Sequence, residues 1–151
     1  MAKIISFAKA CELSKKFRKA GKKVIFTAGC FDILHIGHIE FFQLLRKHFG
    51  QNPLVFVGVE TDKYITSRKG KNRPIFDQAT RSKVLSSIVG IDFIVLLNIT
   101  TDYIKSYKRL KPDFITFGNN ELIDIITKQS MMASIKFKHL PHKIKNHQHP
   151  K

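Results

Sequence analysis

The sequence predicts an α/β fold: a single domain built on a five-stranded, mostly parallel sheet with helices on both faces. Three observations carry that expectation. Short runs rich in β-branched and aromatic residues alternate with longer segments of helical period. One run, Leu54 to Val59, is apolar throughout, as a central parallel strand covered on both sides must be. At 151 residues and 43% hydrophobic content, the chain has the length for one domain with its own core.

Lys3 to Ala20 carries Phe7, Ala8, Leu13 and Phe17 among Lys and Glu, which predicts an opening amphipathic helix closed by Gly21. Lys23 to Thr27 then reads as the first strand, with Gly29 allowing a turn that other residues resist. From Gly37 the apolar positions Ile39, Phe42, Leu45 and Phe49, widened by Phe41 and Leu44, predict a helix that stops at Gly50. Leu54 to Val59 is the second strand, and Gly58-Val59-Glu60-Thr61-Asp62 falls at its carboxyl end, where open α/β sheets collect ligands. Ile65 to Arg73 is short of apolar residues and holds Arg68, Lys69, Lys71 and Arg73, so a mobile charged loop is expected.

Asp77 suits the N-cap of a helix from Gln78 to Val89 whose buried stripe would be Val84, Leu85, Ile88 and Val89. Arg81, one turn in, either reaches a phosphate or pairs on the surface with Asp77. Phe93 to Leu97 is a third strand, followed by a helix from Asp102 to Leu110 with Tyr103, Ile104, Tyr107 and Leu110 inward, ended by Lys111-Pro112. Phe114 to Phe117 is the fourth strand, with Gly118-Asn119-Asn120 as the turn after it. Leu122 to Met132 reads as helix, and Ile135 to Leu140, in which Lys136 and Lys138 alternate, as an edge strand. This order of strands and helices is that of a Rossmann-like, doubly wound domain spanning 1–140. Residues 141–151 have neither acid nor periodicity and are expected to form a disordered basic tail. Of His139, His142, His147 and His149 no metal site is expected, since nothing there fixes their geometry.

The formal charge is +16, with 27 Lys and Arg against 11 Asp and Glu. Such a balance attracts polyanions and keeps nucleic-acid binding open as an alternative function, although the other features of a nucleic-acid binder are missing. It equally helps to collect anionic nucleotide and sugar-phosphate substrates. Cys11 and Cys30 are far apart and form no CxxC, so neither a disulfide framework nor a zinc site is expected. The apolar runs are too short for a membrane span and the start lacks a secretory core, so a cytoplasmic protein is expected.

Between the first strand and the second helix stands Thr27-Ala28-Gly29-Cys30-Phe31-Asp32-Ile33-Leu34-His35-Ile36-Gly37-His38. His35 and His38 are three apart and share a face of the first helical turn, and Gly37 between them lets a ligand approach the backbone. Free backbone N–H groups and the helix dipole favour an anion there, so the joint reads as a phosphate site. Two His at this spacing alone would also fit a metal half-site or two surface residues.

The whole pattern Gly-x-Phe-Asp-x-x-His-x-Gly-His after a strand resembles the signature of the cytidylyltransferase-like nucleotidyltransferases. Class I aminoacyl-tRNA synthetases also carry His-Ile-Gly-His, but their Lys-Met-Ser-Lys-Ser motif is absent here. The match continues through Gly21-Lys22-Lys23-Val24-Ile25-Phe26-Thr27, Val57-Gly58-Val59 with Asp62, Lys69-Gly70-Lys71-Asn72-Arg73-Pro74-Ile75, Arg81 with Val84-Leu85, Val89-Gly90-Ile91-Asp92 and Leu110-Lys111-Pro112-Asp113. In these positions the chain is similar to the adenylyltransferase domains of ADP-heptose synthases. Glycerol-3-phosphate cytidylyltransferases share the architecture but not the Lys-Gly-x-x-Arg-Pro run.

The resemblance implies transfer of a nucleoside monophosphate, AMP sooner than CMP, from a nucleoside triphosphate with Mg²⁺ to a sugar or polyol phosphate, releasing pyrophosphate. It implies His35, His38, Lys69 and Arg81 as catalytic groups, and Thr27, Ala28, Gly29, Cys30, Phe31, Asp32, Gly37, Gly118, Asn119 and Asn120 around the nucleotide. Asp62 and Arg73 would face the acceptor, no protein metal ligand is implied, and a homodimer is compatible with the pattern. The departures are C-terminal. Where the heptose enzymes read Val-Lys-Gly-Gly-Asp-Tyr, this chain has Thr116-Phe117-Gly118-Asn119-Asn120-Glu121, and in place of their late Ser-Thr-Thr stands His142-Lys143-Ile144-Lys145-Asn146-His147. A nucleotide-binding relative of weakened activity is therefore the alternative within the family.

Overall fold

The computed structural model describes residues 1–98, 103–118 and 123–141. The elements run β1 (Lys3–Ser6), α1 (Phe7–Lys19), β2 (Val24–Gly29), α2 (Ile36–Phe49), β3 (Leu54–Val59), α3 (Asp62–Lys69), α4 (Gln78–Ser86), β4 (Phe93–Leu96), α5 (Tyr103–Leu110), β5 (Phe114–Phe117), α6 (Ile123–Met132) and β6 (Lys136–His139). The strands form one sheet in the order β1-β4-β3-β2-β5-β6, and every pairing is parallel. Alternation along each strand divides the core into two layers. Ile25, Val55, Val57 and Ile94 face Phe41, Phe42 and Leu45 of α2 and Leu85 of α4. Val24, Phe26, Phe56, Val95 and Ile115 face Phe7 and Ala10 of α1 and Tyr107 and Leu110 of α5. Gly58 is dictated by that packing, because a Cβ there would meet the Phe26 ring at 2.8 Å.

Three expectations are corrected. The sheet has six strands, not five, because Lys3–Ser6 is an edge strand paired with β4 instead of the first turn of a helix. Ser6 marks the boundary: its hydroxyl accepts from Lys9 N at 3.2 Å, so α1 is capped at Phe7. The segment expected as a charged loop from Ile65 instead begins in helix α3, which buries only Ile65. Its ends define it, with Thr61 accepting from Tyr64 N, Asp62 in the first turn, Arg68 and Lys69 in the last, and Gly70 at φ 95° beyond. Finally, α4 stops at Ser86, and Val84 and Val89 are 52% and 92% exposed. Its buried face is Arg81, Ser82, Leu85 and Ser86, so a polar face was hidden behind an apolar count.

Candidate active site

β3 and β4 lie to one side of β2 and β5 lies to the other, so the chain reverses its winding direction at β2. The crevice at such a switch point, beyond the carboxyl ends of the strands, is where α/β sheets bind ligands. Thr27, Ala28 and Gly29 form the end of β2, in register with Val57, Gly58 and Val59, and the signature loop leaves from there. Gly118 follows β5 on the other side of the crevice. Asn119 and Asn120, expected beside it, lie outside the described residues, as do 142–151 with the expected tail.

Gly29 is not the turn. It completes β2, and a Cβ there would meet the Phe31 ring at 3.1 Å, so its role is to leave room. The turn falls on Phe31, whose φ of 48° costs on the order of 1–3 kcal/mol for a residue with a side chain. Packing holds it there: the buried ring lies 5.5 Å from the His38 ring and 6.2 Å from Phe42.

Asp32, next in the loop, is 8% exposed and accepts from the Arg73 guanidinium at 2.8 Å, from Ile75 N at 2.8 Å and from Phe76 N at 3.1 Å. Burial alone would raise its pKa, but the Arg73 guanidinium and the two N–H groups outweigh it and hold the carboxyl below the usual range. Asp32 and Arg73 were expected to face the nucleotide and the acceptor. Their first partners are each other, and together they fold the 70–76 turn over the signature.

Arg81 requires a stronger revision. Its side chain is 0% exposed, and its guanidinium donates to the Phe76 carbonyl at 2.9 Å, the Cys30 carbonyl at 2.6 Å, the Glu60 carbonyl at 2.8 Å and Asp62 Oδ1 at 2.6 Å. Neither expected role, phosphate ligand or surface partner of Asp77, matches this. Asp77 caps α4 through Thr80 N instead. Arg81 is an internal bolt joining the ends of β2 and β3 to α4, and Asp62 is its counter-ion.

His35 is the N-cap of α2, and the two histidines cap it reciprocally. Gly37 N donates to His35 Nδ1 at 3.1 Å and His35 N donates to His38 Nδ1 at 3.3 Å. The sequence suggested free N–H groups here. The imidazoles take part of that role, because a ring that accepts at Nδ1 carries its proton on Nε2. Each backbone N–H thereby polarises an Nε2–H, and the positive end of the helix is extended by one ring. The rings sit 4.1 Å apart, with His35 exposed and His38 half-buried.

Lys69 ends α3 and is exposed, beside Arg68. Two residues that received no role from the sequence also shape the crevice. Gln78 Nε2 donates to the Val59 and Leu97 carbonyls, at 2.8 and 2.9 Å, pinning the ends of β3 and β4 together. Glu60, with a side chain 6% exposed, accepts from Arg68 at 2.6 Å and from the Tyr103 hydroxyl at 2.6 Å. Burial first, and Glu60 second, push the Tyr103 phenol well above its usual pKa, so it stays a donor. Among the described residues no three His, Cys, Asp or Glu side chains gather as metal ligands.

A separate groove of about 600 Å³ lies between the carboxyl ends of α1 and α5, which lead into the amino ends of β2 and β5. Lys15, Arg18, Lys19, Arg109 and Lys111 line it, together with Glu12, which pairs with Lys9. Cys11, also in its lining, is a free thiol whose pKa is raised by burial against the opposing pull of Arg109. No helix among the described residues is long and apolar enough to cross a membrane.

The chain has known relatives over most of its length. The chain is 36% identical over 119 residues to the bifunctional protein HldE of Sulfurimonas denitrificans, covering 79% of this chain and 24% of that protein. It is 34% identical over 133 residues to the bifunctional protein HldE of Paramagnetospirillum magneticum, covering 88% of this chain and 26% of that one. The chain thus spans about a quarter of the length of these curated relatives. Among solved structures it resembles a lipopolysaccharide core biosynthesis protein from Thermoplasma volcanium, with a TM-score of 0.65, 28% identity, and coverage of 80% of this chain and 98% of that one. A pantoate-beta-alanine ligase from Francisella tularensis shares the fold alone, at a TM-score of 0.64 and 14% identity over 97% of this chain and 69% of its own. Residues 26–148 match the cytidylyltransferase-like family, a span that includes the reciprocal histidine cap and the Arg81 bolt, and the chain belongs to that family.

Proposed function

We propose that this domain is a nucleotidyltransferase that moves a nucleoside monophosphate, AMP in preference to CMP, from a Mg²⁺-bound nucleoside triphosphate to a phosphorylated sugar or polyol. The observation that carries the reading is the reciprocal cap of α2, which sets two Nε2 protons at a helix N-terminus over the switch point of the sheet. Those groups stabilise charge as it develops at phosphorus, and Arg73, on the turn folded over the loop, and Lys69, at the end of α3 just before it, add positive potential. The nucleotide lies across the ends of β2 and β5, along Thr27 to Asp32 and Gly37 on one side and Gly118 on the other.

An anionic oxygen of the acceptor phosphate forms a bond to the α-phosphorus. The bond from that phosphorus to the bridging oxygen breaks, and pyrophosphate leaves with the electron pair. The attacking oxygen carries no proton at neutral pH, so no general base is required, and the protein acts by positioning and electrostatics. Mg²⁺ offsets phosphate charge when it arrives with the nucleotide. Asp32 and Glu60 do not fit as its resident ligands, since their oxygens are taken by Arg73, Arg68, backbone N–H groups and Tyr103.

The choice of AMP and of a sugar phosphate rests on likeness to the ADP-heptose enzymes in the run Lys69 to Ile75. A pyrophosphate-release screen of ATP and CTP against sugar and polyol phosphates tests it. Release with ATP and a sugar phosphate is the expected result. Nucleotide binding without release from any pair would favour the second reading, a silent relative, which rests on His142 to His147 standing in place of Ser-Thr-Thr.

A further inference from the structure

We infer that Arg68 anchors the anionic group of the acceptor, and that it does so separately from the groups that hold the triphosphate. The inference rests on the transferase reading above and names a residue and a substrate class for one half of that site.

Three guanidiniums approach the ligand edge of the sheet, and the structure sorts them. Arg81 has a side chain 0% exposed and donates to four oxygens of the protein, so it has no edge to offer a ligand. Arg73 and Arg68 are built differently. Their side chains are 41% and 37% exposed, and each is gripped by a carboxylate that is itself buried, Asp32 at 2.8 Å and Glu60 at 2.6 Å. Each grip engages a single terminal nitrogen, Nη1 of Arg73 and Nη2 of Arg68. A buried carboxylate behind and solvent in front fixes the plane of a guanidinium while leaving N–H groups for an anion, which is how a fork for phosphate is preorganised.

The two forks stand in different places. Asp32 belongs to the signature loop, so Arg73 is tied to the histidine end of the site. Glu60 follows β3 and also accepts from Tyr103 of α5, so Arg68 is tied to a different carboxylate, on the α5 side of the crevice. Both sit on one short stretch that is folded back on itself, since the Thr66 hydroxyl donates to the Arg73 carbonyl at 2.6 Å. A reaction between two anionic substrates needs two such sites at a fixed separation.

Aromatic rings also hold Arg68 in place. Its guanidinium lies 4.6 Å from the centre of the Tyr64 ring, which packs 6.2 Å from Tyr103, so aromatic faces adjoin the cation. The partial cancellation of Arg68 by Glu60 is outweighed locally, because residues 60–73 carry Lys63, Arg68, Lys69, Lys71 and Arg73 against Glu60 and Asp62. Glu60 is a positioning residue in this arrangement: it touches Arg68 and Tyr103, and its main chain bonds to Gly29 and Arg81.

Removing Arg68 alone would strand a buried carboxylate, so the test uses the double variant Glu60→Gln/Arg68→Gln beside Arg68→Lys. Melting shifts are measured for each protein with Mg²⁺-ATP, with α-D-mannose 1-phosphate and sn-glycerol 3-phosphate, and with mannose and glycerol as neutral controls. The expected result is that wild type is stabilised by at least one phosphorylated probe and by neither neutral one. The double variant should keep the Mg²⁺-ATP shift and bind the phosphorylated probe roughly tenfold or more weakly, with Arg68→Lys recovering part of the loss. An undiminished sugar-phosphate shift in the double variant, a parallel loss of the ATP shift, or no shift of wild type by either phosphorylated probe while ATP still stabilises it would overturn the assignment. Absence of any ATP shift in wild type would instead overturn the nucleotidyltransferase reading itself.

Discussion

The Arg81 guanidinium lies 2.6 Å from the Cys30 carbonyl, one residue before the strained turn of the signature loop. With Glu60, Phe76 and Asp62 as its other acceptors, this side chain locks the site from beneath without reaching it. Arg81→Met should therefore behave as a stability variant. It leaves three carbonyls without their donor, at about 1–3 kcal/mol for each that remains buried and unpaired, so a total loss of about 3–5 kcal/mol is expected in urea unfolding. Unchanged stability with lost nucleotide binding would return Arg81 to the phosphates.

Acid should loosen the turn over the signature. The folded-state pKa of Asp32 is lowered, so its contribution is complete above the unfolded value of roughly 4 and is lost as the pH falls through the lower folded value. Asp32→Asn removes that dependence. Wild type should exceed the variant by about 1.5–3 kcal/mol from pH 7 to pH 5, the worth of hydrogen bonds to a charged group. Below about pH 4 the gap should close. A gap that stays constant to pH 3 in urea titrations would mean that Arg73, Ile75 and Phe76 do not hold a charged carboxylate.

His35 is both a cap and a proposed donor, and one substitution separates the two. Asn is a good N-cap but has no Nε2–H to present beyond the helix. His35→Asn should melt within a few degrees of wild type while pyrophosphate release falls ~10²–10³-fold, the usual cost of one lost transition-state donor. His35→Ala should lose the same activity and about 1 kcal/mol more in stability. Equal turnover in wild type and the Asn variant would reduce His35 to a cap.

The sequence made the alternation of elements and the signature loop legible because both are written in local pattern: period, turn residues and a motif at a strand-to-helix joint. β1 was lost because its four residues were merged with the helix that follows without a break, although Ser6 already marked the cap. α3 was lost because it buries one residue, and its evidence sits in Thr61 and Gly70 at its ends. The roles of Arg81 and Glu60 were beyond reach for another reason. Each depends on contacts 19 to 51 positions away, Arg81 on Cys30 and Asp62, Glu60 on Tyr103, and a charged side chain reads as surface until such partners are known.

The last expectation separates the site from the charge of the whole protein. A chain of +16 will bind any polyanion to some extent, and the groove between α1 and α5 concentrates five cations far from the signature. The described side chains lining that groove include no aromatic ring on which a base could stack, so it should read phosphate charge alone. Lys15→Glu/Lys19→Glu should then reduce the melting shift given by tripolyphosphate more than that of Mg²⁺-ATP, since both anions reach the α2 cap but only ATP adds a nucleoside to hold it in the crevice. Saturating Mg²⁺-ATP at about 100 times its Kd should stabilise the fold by ~2.7 kcal/mol, and raising the salt to ~0.5 M should erase the tripolyphosphate shift first. If the groove variant loses both shifts together, nucleotide is bound by charge at the groove and the cap of His35 and His38 holds none of it.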